Sequence, residues 1–477
     1  MKALFLSAEA TPFIKTGGLA DVAGTLPRAL RAEGVKPVLM MPLYGQIDEK
    51  YKKRMKVLTE FTVELGWRKQ PCVVRGLTKN YIRCYFIEND YYFNRDYIYG
   101  SGTDEAERYA FFCRAALESL KHLRIRPDLI HCNDWHTGMV PLLLKTQYLN
   151  HYKYKGVKTL FTIHNLRYQG VFDWANVHDL LNIGPEHFVP DGIEYYGGAS
   201  FMKAGIAYSD AVNTVSPTYA VEIQTPAYGE GLDGLLRSRS IALSGIMNGI
   251  DMDEYNPSTD KELPAGYSAE NQRGKQLNKA ALQRKLGLYE RPDIPLIGIV
   301  SRLTEQKGFS LIAQAAERIV DLNIQLAVLG KGEARFEALF RRMADLRPNM
   351  IAYLPEQNEG LARMVYGGAD MFLMPSMYEP CGISQLIAMR YGTLPIVRET
   401  GGLKDSVEPY NAFTGEGTGF TFSHYSSDDM LGAIIRACEC HADETAWGRL
   451  ISRAMTRDFS WGASAREYTD LYQRLFG

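Results

Sequence analysis

The chain has 477 residues, more than one hydrophobic core usually serves, so two or three domains are expected. Its 54 Lys+Arg and 55 Asp+Glu cancel to a formal charge of −1, which argues against a basic nucleic-acid surface or a polybasic membrane anchor. No apolar run is long enough to span a bilayer, and the Ala3–Leu6 run ahead of Glu9 is too short for a signal-peptide core. Seven cysteines without paired CxxC sets indicate neither a disulfide framework nor a zinc site, and the expected compartment is reducing cytosol.

In chain order, short apolar runs read as strands at Leu4–Ser7, Pro37–Met41, Ile82–Ile87, Leu129–Cys132, Thr159–Ile163 and Ala211–Val215. Asn248-Gly249 and the polar, Pro/Gly-punctuated stretch from Asp253 to Gly274 mark a boundary, giving domains 1–248 and 249–457. Strands then resume at Leu296–Val300, Gln325–Leu329, Ile351–Leu354, Met371–Met374, Leu394–Val397 and Gly419–Phe422. Helix-period segments such as Leu311, Ile312, Ala315, Ala316, Ile319 and Val320 lie between them. Alternating α and β elements with largely apolar strands imply an α/β protein of parallel sheets covered on both faces. Trp461, Ala465, Tyr468, Tyr472 and Leu475 form one face of a last helix that needs a docking surface.

Several loops after these strands carry candidate chemistry. Lys15-Thr16-Gly17-Gly18-Leu19-Ala20-Asp21 and Thr400-Gly401-Gly402-Leu403-Lys404-Asp405 share a TGGLxD pattern, in which glycines admit close ligand approach and N–H groups attract anions. Together they suggest two mononucleotide-fold lobes and a phosphate-bearing ligand, although two ordinary tight turns also fit. Arg302 and Lys307 offer two cations to a diphosphate; alone they equally fit a solvated helix cap. In Ser376–Gln385, Glu379 would project beyond a strand end while the N–H groups of Gly382, Ile383 and Ser384 face a phosphate; a charge-compensated helix start is the plainer alternative. Asp134 and His136 are too few to hold a metal, and sugar-hydroxyl binding or a buried network suits that cluster better. His136 reads as a satisfied structural histidine, whereas His164 beside Asn165 reads as a site residue. The aromatic run from Tyr81 to Tyr109 is core or a sugar-stacking loop.

Taken together, these motifs resemble the glycogen and starch synthase family of ADP-glucose type, over essentially the whole chain. The resemblance rests on Lys15–Asp21, His131–His136, Thr162–Asn165, Met202–Gly205, Thr214–Pro217, Asn248–Asp251, Ser301–Gly308, Tyr378–Gly382, Thr400–Asp405 and Asp458–Trp461. It implies two Rossmann-like lobes of the GT-B type with a deep interdomain cleft, and a C-terminal helix, 458–477, that crosses back to complete the first lobe. It implies ADP-glucose as co-substrate, an α-1,4-glucan as acceptor, and no cofactor or metal; the choice of ADP over UDP is carried by the resemblance alone.

By the same resemblance Arg302 and Lys307 bind the donor diphosphate, Lys15 with Gly17 and Gly18 closes over the phosphates, and Asp21 is one option for the ribose. Glu379 holds hydroxyls of the donor glucose beside Cys381, Gly382 and Ile383, and Tyr353 is a candidate to stack on adenine. His164 lies at the reacting sugar, with Asp134 and Asn165 on the glucan side. Asn133 stands where relatives often have His, a neutral hydrogen-bonding exchange. An α-linked donor and an α-linked product imply retention; a front-face route is favoured over a covalent one, because Glu379 is the only prominent carboxylate and is assigned to hydroxyl binding.

Overall fold

The computed structural model describes residues 1–100, 102, 104–123 and 125–477. The chain forms two compact units, Met1–Ile246 with Trp461–Gly477, and Met247–Ser460. Both crossings therefore fall beside the expected positions, at 246 and 460 rather than at 248 and 457.

The first unit is built on a nine-stranded sheet in the order Leu243–Gly245, Ala211–Thr214, Lys158–Ile163, Leu129–Asn133, Lys2–Leu6, Lys36–Pro42, Ile82–Glu88, Arg68–Lys79, Lys56–Leu65. The strands are parallel as far as Ile82–Glu88. The last two are an antiparallel hairpin absent from the sequence reading. Lys56–Leu65 alternates apolar and polar residues, with Val63 and Leu65 buried, so it lacks the continuous apolar run of a strand covered on both faces. A separate three-stranded sheet joins Val171–Asp173, Gly198–Ser200 and Glu194–Tyr195.

The order reverses at Lys2–Leu6, whose neighbours are Lys36–Pro42 and Leu129–Asn133. Ligand crevices open at such reversals, beyond the carboxyl ends of the strands. In this unit that places the loop 7–17 beside the turn that follows Asn133. The helix Trp461–Arg474 supplies the missing partner for its own apolar stripe: Trp461, Ala465, Tyr468 and Tyr472 join the first unit's core, and the helix packs on Gly18–Ala32. Its Tyr472 hydroxyl meets His131 Nδ1 at 2.8 Å, and His131 Nε2 meets Thr162 Oγ1 at 2.6 Å, both buried.

The second unit has six parallel strands in the order Ile351–Leu354, Gln325–Leu329, Leu296–Val300, Met371–Met374, Leu394–Arg398, Phe420–Phe422. Here the reversal lies at Leu296–Val300 and Met371–Met374. The loops 301–308 and 375–383, which carry Arg302, Lys307 and Glu379, therefore emerge side by side.

Candidate active site

In the second unit, three backbone contacts weld the loops together. Gly308 has φ +80°, and a Cβ there would stand 1.8 Å from the Pro375 carbonyl oxygen. Met377 N–H donates to the Gln306 carbonyl at 2.8 Å. Gly402 N–H donates to the Glu379 carbonyl at 3.1 Å, and a Cβ on Gly401 would stand 2.0 Å from that same oxygen. The second TGG sequence thus backs the Glu379–Cys381 chain at a distance only glycine permits. Arg398, which sequence reasoning overlooked, is buried and donates through Nε to the Ser376 carbonyl at 3.0 Å.

This frame brings Lys307 Nζ to 2.6 Å from Glu379 Oε2, across 72 residues of sequence. Ser376 Oγ donates to the same oxygen at 3.1 Å. Glu379 is buried, and both of these bonds fall on its Oε2. Arg302 is exposed at the head of the same loop. Gly382 has φ +72°, Ile383 caps the short helix Ser384–Arg390, and Cys381 is buried with its thiol pushed up to about 12, largely by burial. Tyr353, next to last in its strand, has its hydroxyl on the Gly330 carbonyl at 3.3 Å and Arg341 5.7 Å from its ring centre.

In the first unit, Lys15 Nζ pairs with Asp21 at 2.8 Å, both partly exposed. Gly17 precedes the helix that Gly18 begins, but the Thr16 and Gly17 N–H groups turn to the buried carboxylate of Glu9 rather than outward. Nothing local in the sequence marks Glu9 for this, since its partners lie seven and eight residues on.

Asp134 has φ +55° and ψ 178°, a region almost reserved for glycine, where a side chain costs about 1–3 kcal/mol. Its Oδ1 accepts from the His164 N–H at 2.8 Å and the Asn165 N–H at 3.4 Å, so it shapes the strand end that presents both. Burial, with Glu9 adding, lifts its carboxyl to about 7.

The Asn133 amide nitrogen donates to the Leu6 and His131 carbonyls at 3.0 and 3.3 Å, which turns its oxygen to His164 Nε2, 2.9 Å away. His164 Nε2 is therefore the donor. Burial lowers its pKa to about 3, so it stays a neutral imidazole. The Asn133 exchange thus sets the tautomer of a site residue. His136 is buried and stacks on Trp135 at 4.0 Å, yet its Nδ1 has no hydrogen-bond partner among the described residues, contrary to the satisfied histidine expected.

The aromatic run divides between the two alternatives: Tyr92 and Phe93 are core, while Tyr91 and Tyr97 are exposed around Arg95. Among the described residues, no group of three His, Cys, Asp or Glu is placed to hold a metal ion. Likewise, no helix among them is long and apolar enough to cross a membrane.

Residues 2–238 match the starch synthase catalytic domain, and residues 279–450 match glycosyl transferases group 1. The glycogen synthase of Geobacillus thermodenitrificans is 50% identical over 475 residues, covering 100% of this chain and 98% of that one. That of Geobacillus stearothermophilus is 49% identical with the same coverage. The catalytic domain of Starch Synthase IV from Arabidopsis thaliana, bound to ADP and acarbose, superimposes with a TM-score of 0.91 at 34% identity, over 99% of each chain. Two Rossmann-like units, a C-terminal helix returned to the first, and full-length identity of this order leave one assignment: the chain belongs to the glycogen synthase family, glycosyltransferases of the two-domain GT-B fold.

Proposed function

We propose that the protein transfers glucose from ADP-glucose to the non-reducing end of an α-1,4-glucan, with retention at the anomeric carbon, in the cytosol. The ADP and acarbose bound to the Arabidopsis relative and the full-length identity to glycogen synthases support the substrates. Seven unpaired cysteines agree with a reducing compartment. In this reading residues 249–457 hold the donor, residues 1–248 with 458–477 serve the acceptor, and no cofactor joins the co-substrate.

The observation that carries the reading is the Lys307–Glu379 arrangement. Lys307 and Ser376 both bond to Oε2, and Oε1 is assigned to a hydroxyl of the donor sugar. Lys307 and Arg302 stand at the same strand ends for a diphosphate. Cations aimed at a leaving group are worth far more in a preorganised site than in water. Lys15 adds a third positive charge and Asp21 is its resting partner. Gly17, Gly18, Gly382, Ile383 and Cys381 shape the donor's surroundings, and Tyr353 is assigned to the adenine.

Neutral His164, with Nε2–H fixed on Asn133, presents Nδ1 as an acceptor near the reacting sugar, and Asp134 and Asn165 lie on the glucan side. In a front-face transfer the diphosphate departs, its oxygen takes the acceptor's proton, and the glucan oxygen bonds to the anomeric carbon from the same side. The protein positions the partners and offsets the charge.

Incubation with ADP- or UDP-[14C]glucose and glycogen tests this. Label should enter the ethanol-precipitated polymer from the ADP donor and be released by β-amylase. Label that resists that digestion, or glucose released only to water, would defeat the assignment.

A further inference from the structure

We infer that Glu9 is a positioning residue for Lys15: its buried carboxylate holds the Thr16–Gly17 backbone and so fixes the base from which the lysine reaches. This rests on the reading of Lys15 as a cation for the donor phosphates.

Glu9 follows the strand Lys2–Leu6, at the point where the first sheet reverses. Its own main chain is pinned by Ser7 Oγ, which donates to the Glu9 carbonyl at 2.7 Å. Its Oε2 accepts the Thr16 N–H at 2.5 Å and the Thr16 hydroxyl at 2.8 Å, and the Gly17 N–H adds to the same carboxylate. The rest of the loop is tied down separately: the Thr11 N–H and hydroxyl both reach the Ala20 carbonyl, at 2.9 and 3.2 Å. Without Glu9, the Thr16–Gly17 main chain would lose the carboxylate that holds it next to two adjacent glycines, and a glycine pair is the most flexible stretch a backbone offers.

The choice of a carboxylate is itself informative. Three donors converge on it, and only a carboxylate presents acceptors on both oxygens; a glutamine would turn an NH₂ donor toward an N–H. Burial and the nearby Asp21 charge both work against ionisation of Glu9. Acids held where their neighbours disfavour the charge cluster at functional sites. With the Thr16 and Gly17 N–H groups occupied, the Lys15 ammonium is the cation this segment offers a phosphate. It rests on Asp21 and can exchange that partner while its backbone stays put.

A double-mutant cycle between Glu9→Gln and Lys15→Ala tests the inference, because coupling appears only if the two residues act through one another. Glu9→Gln should lower kcat by about 10–100-fold, a fraction of the effect of losing a charge-stabilising group outright. In the Lys15→Ala background the same change should cost less than about twofold. An equal loss in both backgrounds would make Glu9 merely structural and overturn the inference, as would wild-type turnover in Glu9→Gln. Should that variant fail to fold, Thr16→Val removes the hydroxyl half of the clamp and carries the same cycle under the same criteria. If Lys15→Ala alone has wild-type kinetics, the phosphate role of Lys15 falls, and this inference with it, while glucosyl transfer itself would stand.

Discussion

Lys307 and Arg302 have been given the same chemical task, yet they sit in different surroundings. Lys307 is bonded to a buried carboxylate, whereas Arg302 is exposed. Each replaced by Ala should lose about 10²–10³ in turnover, the scale of a single preorganised electrostatic donor. Only Lys307→Ala should also lower the melting temperature by several degrees, because it leaves Glu379 buried without its cation, at a cost of about 2–3 kcal/mol. Calorimetry and steady-state assays on the two variants separate these effects.

Glu379→Gln asks what the carboxylate does. As a hydroxyl anchor, the variant should fall strongly in turnover yet bind ADP, which lacks the sugar, nearly as the wild type does. Azide rescue yielding an inverted glucosyl azide would instead reveal a covalent nucleophile. This residue was legible in the sequence because it follows an apolar strand and precedes a helix. Glu9 and Arg398 were not, since their roles depend on which main-chain groups the fold brings to them.

At the scale of elements, the two TGG sequences turn out to serve different ends. The first is held by a side chain from below; the second presses against the carbonyls of the Glu379 loop. Gly308→Ala and Gly401→Ala must each displace a carbonyl 1.8 or 2.0 Å away, in left-handed backbone, so both stability and turnover should fall. Gly415→Ala is the control: its φ is +70° but nothing lies within 4 Å, so it should cost about 1 kcal/mol with turnover unchanged. Equal turnover in all three would show that the loop weld does not position Glu379 and Lys307. The parallel strands were visible from sequence because burial on both faces leaves uninterrupted runs such as Ile297–Val300. The hairpin Lys56–Lys79 was not, since one solvated face breaks the run into alternation. Glycine pairs announce close approach, but the sequence does not say whether a ligand or the protein's own chain is approaching.

For the whole molecule, the first unit carries an imbalance of buried protons. His131, His136 and His164 are all held to about 3 by burial, so between about pH 3 and 6.5 the unfolded chain binds up to three more protons there. Asp134, lifted to about 7, and Glu9, Glu105 and Glu467, all raised by burial, act in the opposite sense, because the folded state keeps their protons longer as pH rises. Close below about pH 6.5 three histidines stand against one carboxyl that titrates near 7, so stability should fall there on acidification, by about 1.4 kcal/mol per pH unit for each unbalanced proton, before the three glutamates offset it at lower pH. Scanning calorimetry from pH 6.5 to 5.5, below the about 7 to which burial lowers Lys275 of the second unit, should show one transition, that of the first unit, moving down and away from the other. A first transition that does not move, or that rises, would contradict these assignments.

The helix Trp461–Arg474 belongs to the first unit, although the entire second unit, Met247–Ser460, precedes it in the chain. On the ribosome, which adds about 5–20 residues per second, residues 1–246 must therefore wait for some 200 further residues before their last helix arrives. Until then His131 lacks Tyr472, and the face of Gly18–Ala32 that this helix covers stands open. Domain-by-domain folding during synthesis thus favours the later-made unit, whose described core ends at Phe459. The earlier-made one stays incomplete until the final turns of helix emerge.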